Sequence, residues 1–395
     1  MSGPSLKPEE ELAVACGLLR AALGTDAAER QNWRELAGRI GLGRLEALVR
    51  RHRIGSFLAR RLPKEVVAML PAGSAGMLSV VGAETARGAL ARAGEVVRLT
   101  RACAEAGLPV LSMKGVVLAQ QLYGDLMQRH AGDIDLLFHP SQVEAADGVL
   151  RTCGYRRTRP DFELTARQHH EYLTLKPEFE YWSAAACIRV ELHWRLEGLD
   201  EAEIWRKPER CRLGGCEIGT LPWALNVRYL CEHGARHGWF RLFWLVDVAL
   251  LLRENRTDWT EVMAAARRAG TERALAQAAV LAEELLGATA RPEWVSREPA
   301  ECRRIARLVA EARRHMQIPE SGTAGGVREW ARQLRYRAAL QRTGFRKWAM
   351  VRPHVYSPLG WSMVRLPDRW FWLYGPLTPF LWLGRRLLPK KKSNR

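Results

Sequence analysis

The chain has 395 residues, 47% hydrophobic and 26% charged, with a formal net charge of +18 and a pI near 10.1. That composition excludes a disordered chain, and the length allows a large core in roughly two or three domains. The basic balance selects acidic partners, namely nucleotide phosphates, nucleic acid, acidic polymer or anionic lipid.

The N-terminus is acidic where a secretion signal would be basic, so no signal is expected. No apolar run is long enough to span a bilayer. The eight cysteines are scattered, with no Cys-x-x-Cys pair, and Cys211 and Cys216 have no second pair at zinc spacing. Most read as small buried hydrophobes in a reducing compartment, which places the chain in the cytoplasm.

Pro8 followed by three glutamates opens a helix, because proline fits the first turn and acids favour the positive end of the dipole. Helical periodicity continues to about Arg61, with Trp33, Leu36, Ile40, Leu45, Leu48 and Val49 as candidate core. A long helix over 77–106 stops at Gly107 and Pro109. The pattern then alternates. Strands are predicted over 108–113, 133–138, 154–158, 171–176 and 188–194, and helices over 115–122 and 142–152, the latter capped by Ser141. Residues 211–220, with Gly214-Gly215 in the middle, read as a hairpin. From Pro222 the pattern is helical over 222–237, 241–253, 259–269, 272–286, 299–315 and 326–341, with 321–326 as a connector. The predicted units are an N-terminal helical region 1–107, an α/β or α+β core 108–220, a C-terminal helical domain 221–341 and a tail 342–395.

Asp133 and Asp135 carry the first chemical signal. Residues two apart in a strand project to one side, about 7 Å apart at ~3.3 Å per residue. Paired carboxylates suit a hard divalent cation, while on spacing alone the plainer reading is a solvated strand end. Two further features favour the metal. Lys114-Gly115 forms a turn after a strand and opens a helix, a place where backbone can approach phosphate and free N–H groups can bind it. Glu191 lies on an alternating strand, opposite in face to Ile188, Val190 and Leu192, and offers a third carboxylate. Three carboxylates holding two metals suit in-line nucleotidyl displacement.

Other residues carry two readings each. Arg129 is a phosphate clamp or a surface arginine. His193 is a site residue or a packed strand histidine. His233 and His237 are four apart on one helix face, with Asp247 on the next. Zinc is disfavoured there without the intervening Glu of the metalloprotease pattern, and a buried His–Asp network is the plainer account. They stand as weak substrate-side candidates.

The order Lys-Gly, short helix, Arg129-His-Ala-Gly-Asp133-Ile-Asp135-Leu-Leu, helix, Cys-Gly-Tyr155 and Val190-Glu191-Leu-His193-Trp194-Arg195 resembles a poorly characterised bacterial nucleotidyltransferase family of the DNA polymerase beta superfamily. The later run from Cys231 to Ala249, with His233, His237 and Asp247, resembles the helical half of that family. The resemblance covers roughly residues 40–380. It implies an α+β fold, a small mixed-sheet nucleotidyltransferase core flanked by N-terminal helices and a C-terminal helical domain. It implies that Asp133, Asp135 and Glu191 bind Mg²⁺, with two ions expected and Mn²⁺ the alternative. Gly115 would sit at the phosphate-binding turn, with Lys114 and Arg129 helping to place an NTP, ATP first among the candidates. One departure stands out. The wider superfamily usually has Gly-Ser or Gly-Gly at this turn, whereas this chain has Lys114-Gly115-Val116. The expected activity is transfer of NMP to an acceptor such as a sugar, metabolite, peptide or protein. The alternative is a non-catalytic or peripheral-membrane protein that reuses the fold.

Residues 342–395 hold twelve Lys/Arg against one acid, Asp368. Residues 370–384 are uncharged and aromatic-rich, too short to span, and broken by Pro376 and Pro379. Packing on the protein, contact with an anionic inner-membrane face and nucleic-acid binding all fit, the last with no recognised module behind it.

Overall fold

A computed structural model describes residues 6–25, 32–288, 292–318, 327–342 and 358–387. The N-terminal helices are α1 (Pro8–Leu23), α2 (Asn32–Arg39), α3 (Leu42–His52), α4 (Gly55–Arg61), α5 (Lys64–Ala68) and the long α6 (Ser74–Glu105). Helix α1 begins as expected, with proline in the first turn and Glu9–Glu11 behind it, and ends at Gly24 in the left-handed region, φ 69°. After the sheet region come α11 (Trp223–Arg236), α12 (Leu242–Arg253), α13 (Trp259–Ala269), α14 (Glu272–Leu286), α15 (Pro299–Gln317) and α16 (Val327–Leu340). The two helical sets share one apolar core, in which Trp33, Leu45 and Val49 join Val227, Leu245 and Leu281. Ile40 and Leu48 are buried there too, and Leu36 packs against the edge. Arg20 ties α1 to α14 by donating to the Leu285 carbonyl at 3.0 Å.

Between the helical sets lies a mixed sheet. Its strands are β1 (Leu111–Met113), β2 (Ile134–Leu137), β3 (Arg156–Arg159), β4 (Glu178–Ser183) and β5 (Ile188–His193), in the order β1-β2-β5-β4-β3. β2 and β5 run parallel, and the other neighbours are antiparallel. Three helices belong to this layer, α7 (Gly115–Leu118, continued by a π-type turn to Tyr123), α8 (Val143–Thr152) and α9 (Ala166–Leu175). A short α10 (Glu201–Arg206) precedes the expected hairpin, β6 (Glu209–Leu213) and β7 (Cys216–Thr220). One sheet face buries Ile134, Leu136, Phe179, Tyr181, Val190 and Leu192. The architecture is α+β, with helices at both ends of the chain.

Three local expectations are corrected. Residues 171–176 are not a strand but the end of α9. Thr165 accepts from the Gln168 amide at 3.2 Å, and the Gln168 side chain accepts from the Thr165 amide at 3.2 Å. That capping box, with Gln168, Tyr172 and Leu175 buried on one face, outweighs the β preference of Tyr and Thr. The strand follows it, as β4. Ser141 does not cap α8. It lies in a single 3₁₀ turn over Pro140–Gln142 capped by His139, and α8 starts at Val143. The tail is more helical than its prolines suggest. After α17 (Pro358–Met363) and a 3₁₀ turn over Asp368–Leu373, α18 runs from Tyr374 to Leu387. Pro376 sits in its first turn, where an N–H has no partner to lose. The expected connector 321–326 and Lys390–Lys392 lie outside the described residues. No helix among the described residues is long and apolar enough to cross a membrane.

Candidate metal and nucleotide site

β1 leads directly into Lys114, whose backbone sits at φ 48°, ψ −142°, and then Gly115 at φ 44°. Positive φ is costly for lysine and free for glycine. Lys114 is held there by its head group. Its Nζ lies 2.8 Å from Asp135 Oδ1 and 5.4 Å from the Tyr229 ring. Burial pulls the ammonium's pKa down, but Asp135, Tyr229, Glu191 and Asp133 outweigh it and raise the pKa, so Lys114 is a standing cation.

Asp135 on β2 pairs in register with Glu191 on β5. In a parallel pair, both side chains project to one face, opposite the apolar one. His193 lies two residues on from Glu191, on the same face. Its Nε2 stands 3.1 Å from Asp135 Oδ1 and 3.3 Å from Glu191 Oε2, and its Nδ1 3.2 Å from Glu178 Oε2. Burial opposes charge on this imidazole, but the hydrogen bonds to Asp135 and Glu191 and the charge of Glu178 raise its pKa well above the usual value. Asp135 is also buried, which would raise its pKa. Lys114 and His193 outweigh burial and hold it ionised. Glu191 is raised, first by burial and also by Asp135 and Asp133, with His193 opposing. Asp133 precedes the strand and is raised by burial and then by Asp135.

Ligand-type atoms of Asp135, Glu191 and His193 lie within 4.8 Å of one another. Among the described residues this is the one such group of three, so Asp133, His233 and His237 stand outside it. Two carboxylates and an imidazole fit a divalent cation. Carboxylate oxygen suits Mg²⁺, and the imidazole also admits Mn²⁺.

These residues form the floor of a cavity of about 420 Å³. Nine of the ten residues singled out in the sequence line it: Lys114, Gly115, Arg129, Asp133, Asp135, Glu191, His193, His233 and His237. Asp247 stands behind the wall, fully buried. Arg129 meets it there, with Nε 2.9 Å from Oδ1 and Nη2 2.9 Å from Oδ2, and Tyr123 donates to Oδ1 at 2.7 Å. Asp247 therefore anchors an Arg–Asp–Tyr network rather than the expected His–Asp one. The rings of His233 and His237 lie 4.6 Å apart, and both pack on Trp244. Burial first, then Lys114 for His233 and Arg236 for His237, depress their pKa values, so both are neutral.

Several lining residues carry no signal as single residues in the sequence. Glu178 was hidden with its strand, although the alternation Glu178-Phe-Glu-Tyr marks a half-buried strand. Tyr229 shares a helix with the His233/His237 pair, one turn earlier. Arg236, on the same helix, donates to Glu197 at 2.5 Å. Arg337, from α16, reaches the cavity with no hydrogen bond or ion pair among the described residues.

Residues 40–287 match the family described as an uncharacterised nucleotidyltransferase. The chain belongs to that family. No curated protein matches it. The matched region contains the Lys114 turn, the β2–β5 pair and helices α11 to α14, while α15 to α18 lie beyond it. Membership implies a nucleotide substrate.

Proposed function

We propose that the protein transfers a nucleoside monophosphate from an NTP, with ATP the first donor to test, to a hydroxyl or phosphate on an acceptor. The observation that carries this reading is the parallel register that sets Asp135 beside Glu191, with Lys114 against the same carboxylate. Asp135, Glu191 and Asp133 would hold Mg²⁺, two ions in the full arrangement, with His193 beside them. Bound there, divalent cations supply Lewis-acid activation of the attacking oxygen and neutralise phosphate charge. The protein's own part is to position and to shield. Lys114 and the helix start at Gly115 offer a cation and free N–H groups to the phosphates. Arg129 acts through Asp247 and through its 3.3 Å hydrogen bond to the Gly115 carbonyl, which fixes the turn. Trp244 and the neutral His233 and His237 give the cavity an aromatic wall for a base or an acceptor. The cytoplasm is the proposed compartment, where cysteines stay reduced, as all eight are here.

The test is labelling of host-cell lysate with α-labelled NTPs and Mg²⁺ by the wild type, Asp135→Asn and Glu191→Gln. Transfer should vanish in both variants, while unlabelled background stays equal. Undiminished transfer by Asp135→Asn would overturn the reading. Mg²⁺-dependent ATP binding with no transfer by the wild type would instead favour a binding platform, the alternative suggested by Val116 where the wider superfamily often has serine.

A further inference from the structure

The C-terminal segment has two faces of opposite character. Its inner face is fixed to the sheet domain. Trp361 is fully buried, with its ring 5.3 Å from Phe371 and 6.1 Å from Tyr374. The Tyr374 hydroxyl donates to the Val364 carbonyl at 2.7 Å and accepts from the Leu366 amide at 3.1 Å. Asp368 accepts from the Thr165 hydroxyl and from the Arg167 amide. The one acid between 342 and 395 is thus turned inward, onto the start of α9.

The outer face is aromatic and basic. Trp370, Trp372 and Phe380 are 49%, 64% and 71% exposed. Of the ten large hydrophobic side chains exposed among the described residues, five lie between 363 and 380. A monomer rarely gathers exposed apolar groups in this way without a partner. Arg365 and Arg369 are exposed in the same stretch, and Arg369 lies 5.3 Å from the Trp370 ring. The sequence then adds Arg385, Arg386, Lys390, Lys391, Lys392 and Arg395 with no further acid. Amphipathic indole rings settle at the level of lipid headgroups, and basic side chains beside them favour anionic lipid.

We propose that Trp370, Trp372 and Phe380 insert into the headgroup layer of an anionic bilayer, with Arg365 and Arg369 as the electrostatic contact. The occupant is a lipid surface rather than a protein because exposed indole rings and arginines lie side by side here, and the sequence beyond them adds charge of one sign only. The surface lies on a different part of the molecule from the carboxylate cavity, so the proposal stands or falls apart from the transferase reading.

The experiment is flotation of the full chain with phosphatidylcholine vesicles, with and without phosphatidylglycerol, at low and high salt. Binding should require phosphatidylglycerol and weaken several-fold at high salt, because exposed charges are screened within about 10 Å at 0.1 M. A W370S/W372S/F380S variant should bind at least tenfold less while keeping the wild-type melting temperature and its response to Mg²⁺ and ATP. A R365E/R369E variant should lose binding to the anionic vesicles in the same way. Failure of the wild type to float with phosphatidylglycerol, or undiminished flotation of the triple aromatic variant, would overturn the proposal. So would wild-type self-association that the triple variant abolishes in the absence of any vesicle binding.

Discussion

Arg129 and Asp247 form a buried bidentate ion pair between the loop ahead of β2 and helix α12, with N–O distances of 2.9 Å on both arms. Both side chains are nearly inaccessible, at 4% and 1% exposure. Removing one partner from such a pair leaves an uncompensated charge and typically costs about 3–5 kcal/mol. Arg129→Met should therefore lose stability of that order in urea unfolding. The double variant Arg129→Met/Asp247→Leu should recover part of it. Additive losses in the double-mutant cycle would show that the two charges are not coupled.

Lys114 competes with any cation for Asp135. Its ammonium stands 2.8 Å from the carboxylate. Lys114→Met removes that charge and leaves Asp135 and Glu191 with His193 alone. The variant should melt below the wild type in EDTA. Added Mg²⁺ or Mn²⁺ should raise its melting temperature more than it raises that of the wild type. Equal shifts in the two proteins would mean that Lys114 and the cation do not share a carboxylate.

Gly234 on α11 is packed against Trp239. A methyl group there would meet the indole ring at 2.3 Å, far inside contact distance. Gly234 directly follows His233 on α11, and Trp239 is fully buried with its Nε1 donating to Gln277 Oε1 at 3.1 Å. Gly234→Ala must displace the indole or the helix. Overpacking of this kind costs about 1–3 kcal/mol. The expected result is a loss in that range together with weakened Mg²⁺–ATP binding, since His233 and His237 move with α11. Calorimetric unfolding and a nucleotide titration would check both parts.

Much of the site was legible because its signals are local. The Asp133-Ile-Asp135 spacing, the Lys114-Gly115 turn and the alternation through Glu191 each lie in one stretch, and the sheet register does the rest. What was hidden depends on pairing across the fold. No single stretch says that His193 bridges Asp135, Glu191 and Glu178, because two of those partners sit on other strands. In sequence Asp247 stands nearest to His233 and His237, whereas its partners Arg129 and Tyr123 come from more than a hundred residues earlier. The strand expected at 171–176 failed for a related reason. Tyr172 and Leu175 fit a strand in isolation, and a capping box at Thr165 together with tertiary burial made them helix. Helices with strong periodicity, such as 259–269 and 272–286, matched to the residue.

Acid should weaken the fold through the histidines whose pKa burial depresses, against a smaller opposite contribution from His193, whose pKa is raised. His52 is fully buried on α3, and its Nδ1 accepts from the Leu242 amide at 3.4 Å, at the start of α12. Burial, and then the charges of Arg51 and Arg241, push its pKa down to about 3. In the unfolded chain a histidine titrates near 6.5. The unfolded state therefore binds the proton first. Stability is intact above the unfolded pKa and is lost as pH falls from there toward the folded value. For one such group the loss between pH 7 and pH 5 is about 2 kcal/mol. His130, His233 and His237 are shifted in the same direction, so the wild-type slope should exceed that of a single group. His52→Asn keeps an acceptor for the Leu242 amide and cannot take up the proton. Urea unfolding of both proteins at pH 7 and pH 5 should show the variant less stable at neutral pH and the gap closing by about 2 kcal/mol in acid. A gap that stays constant between the two pH values would mean that His52 does not titrate on unfolding.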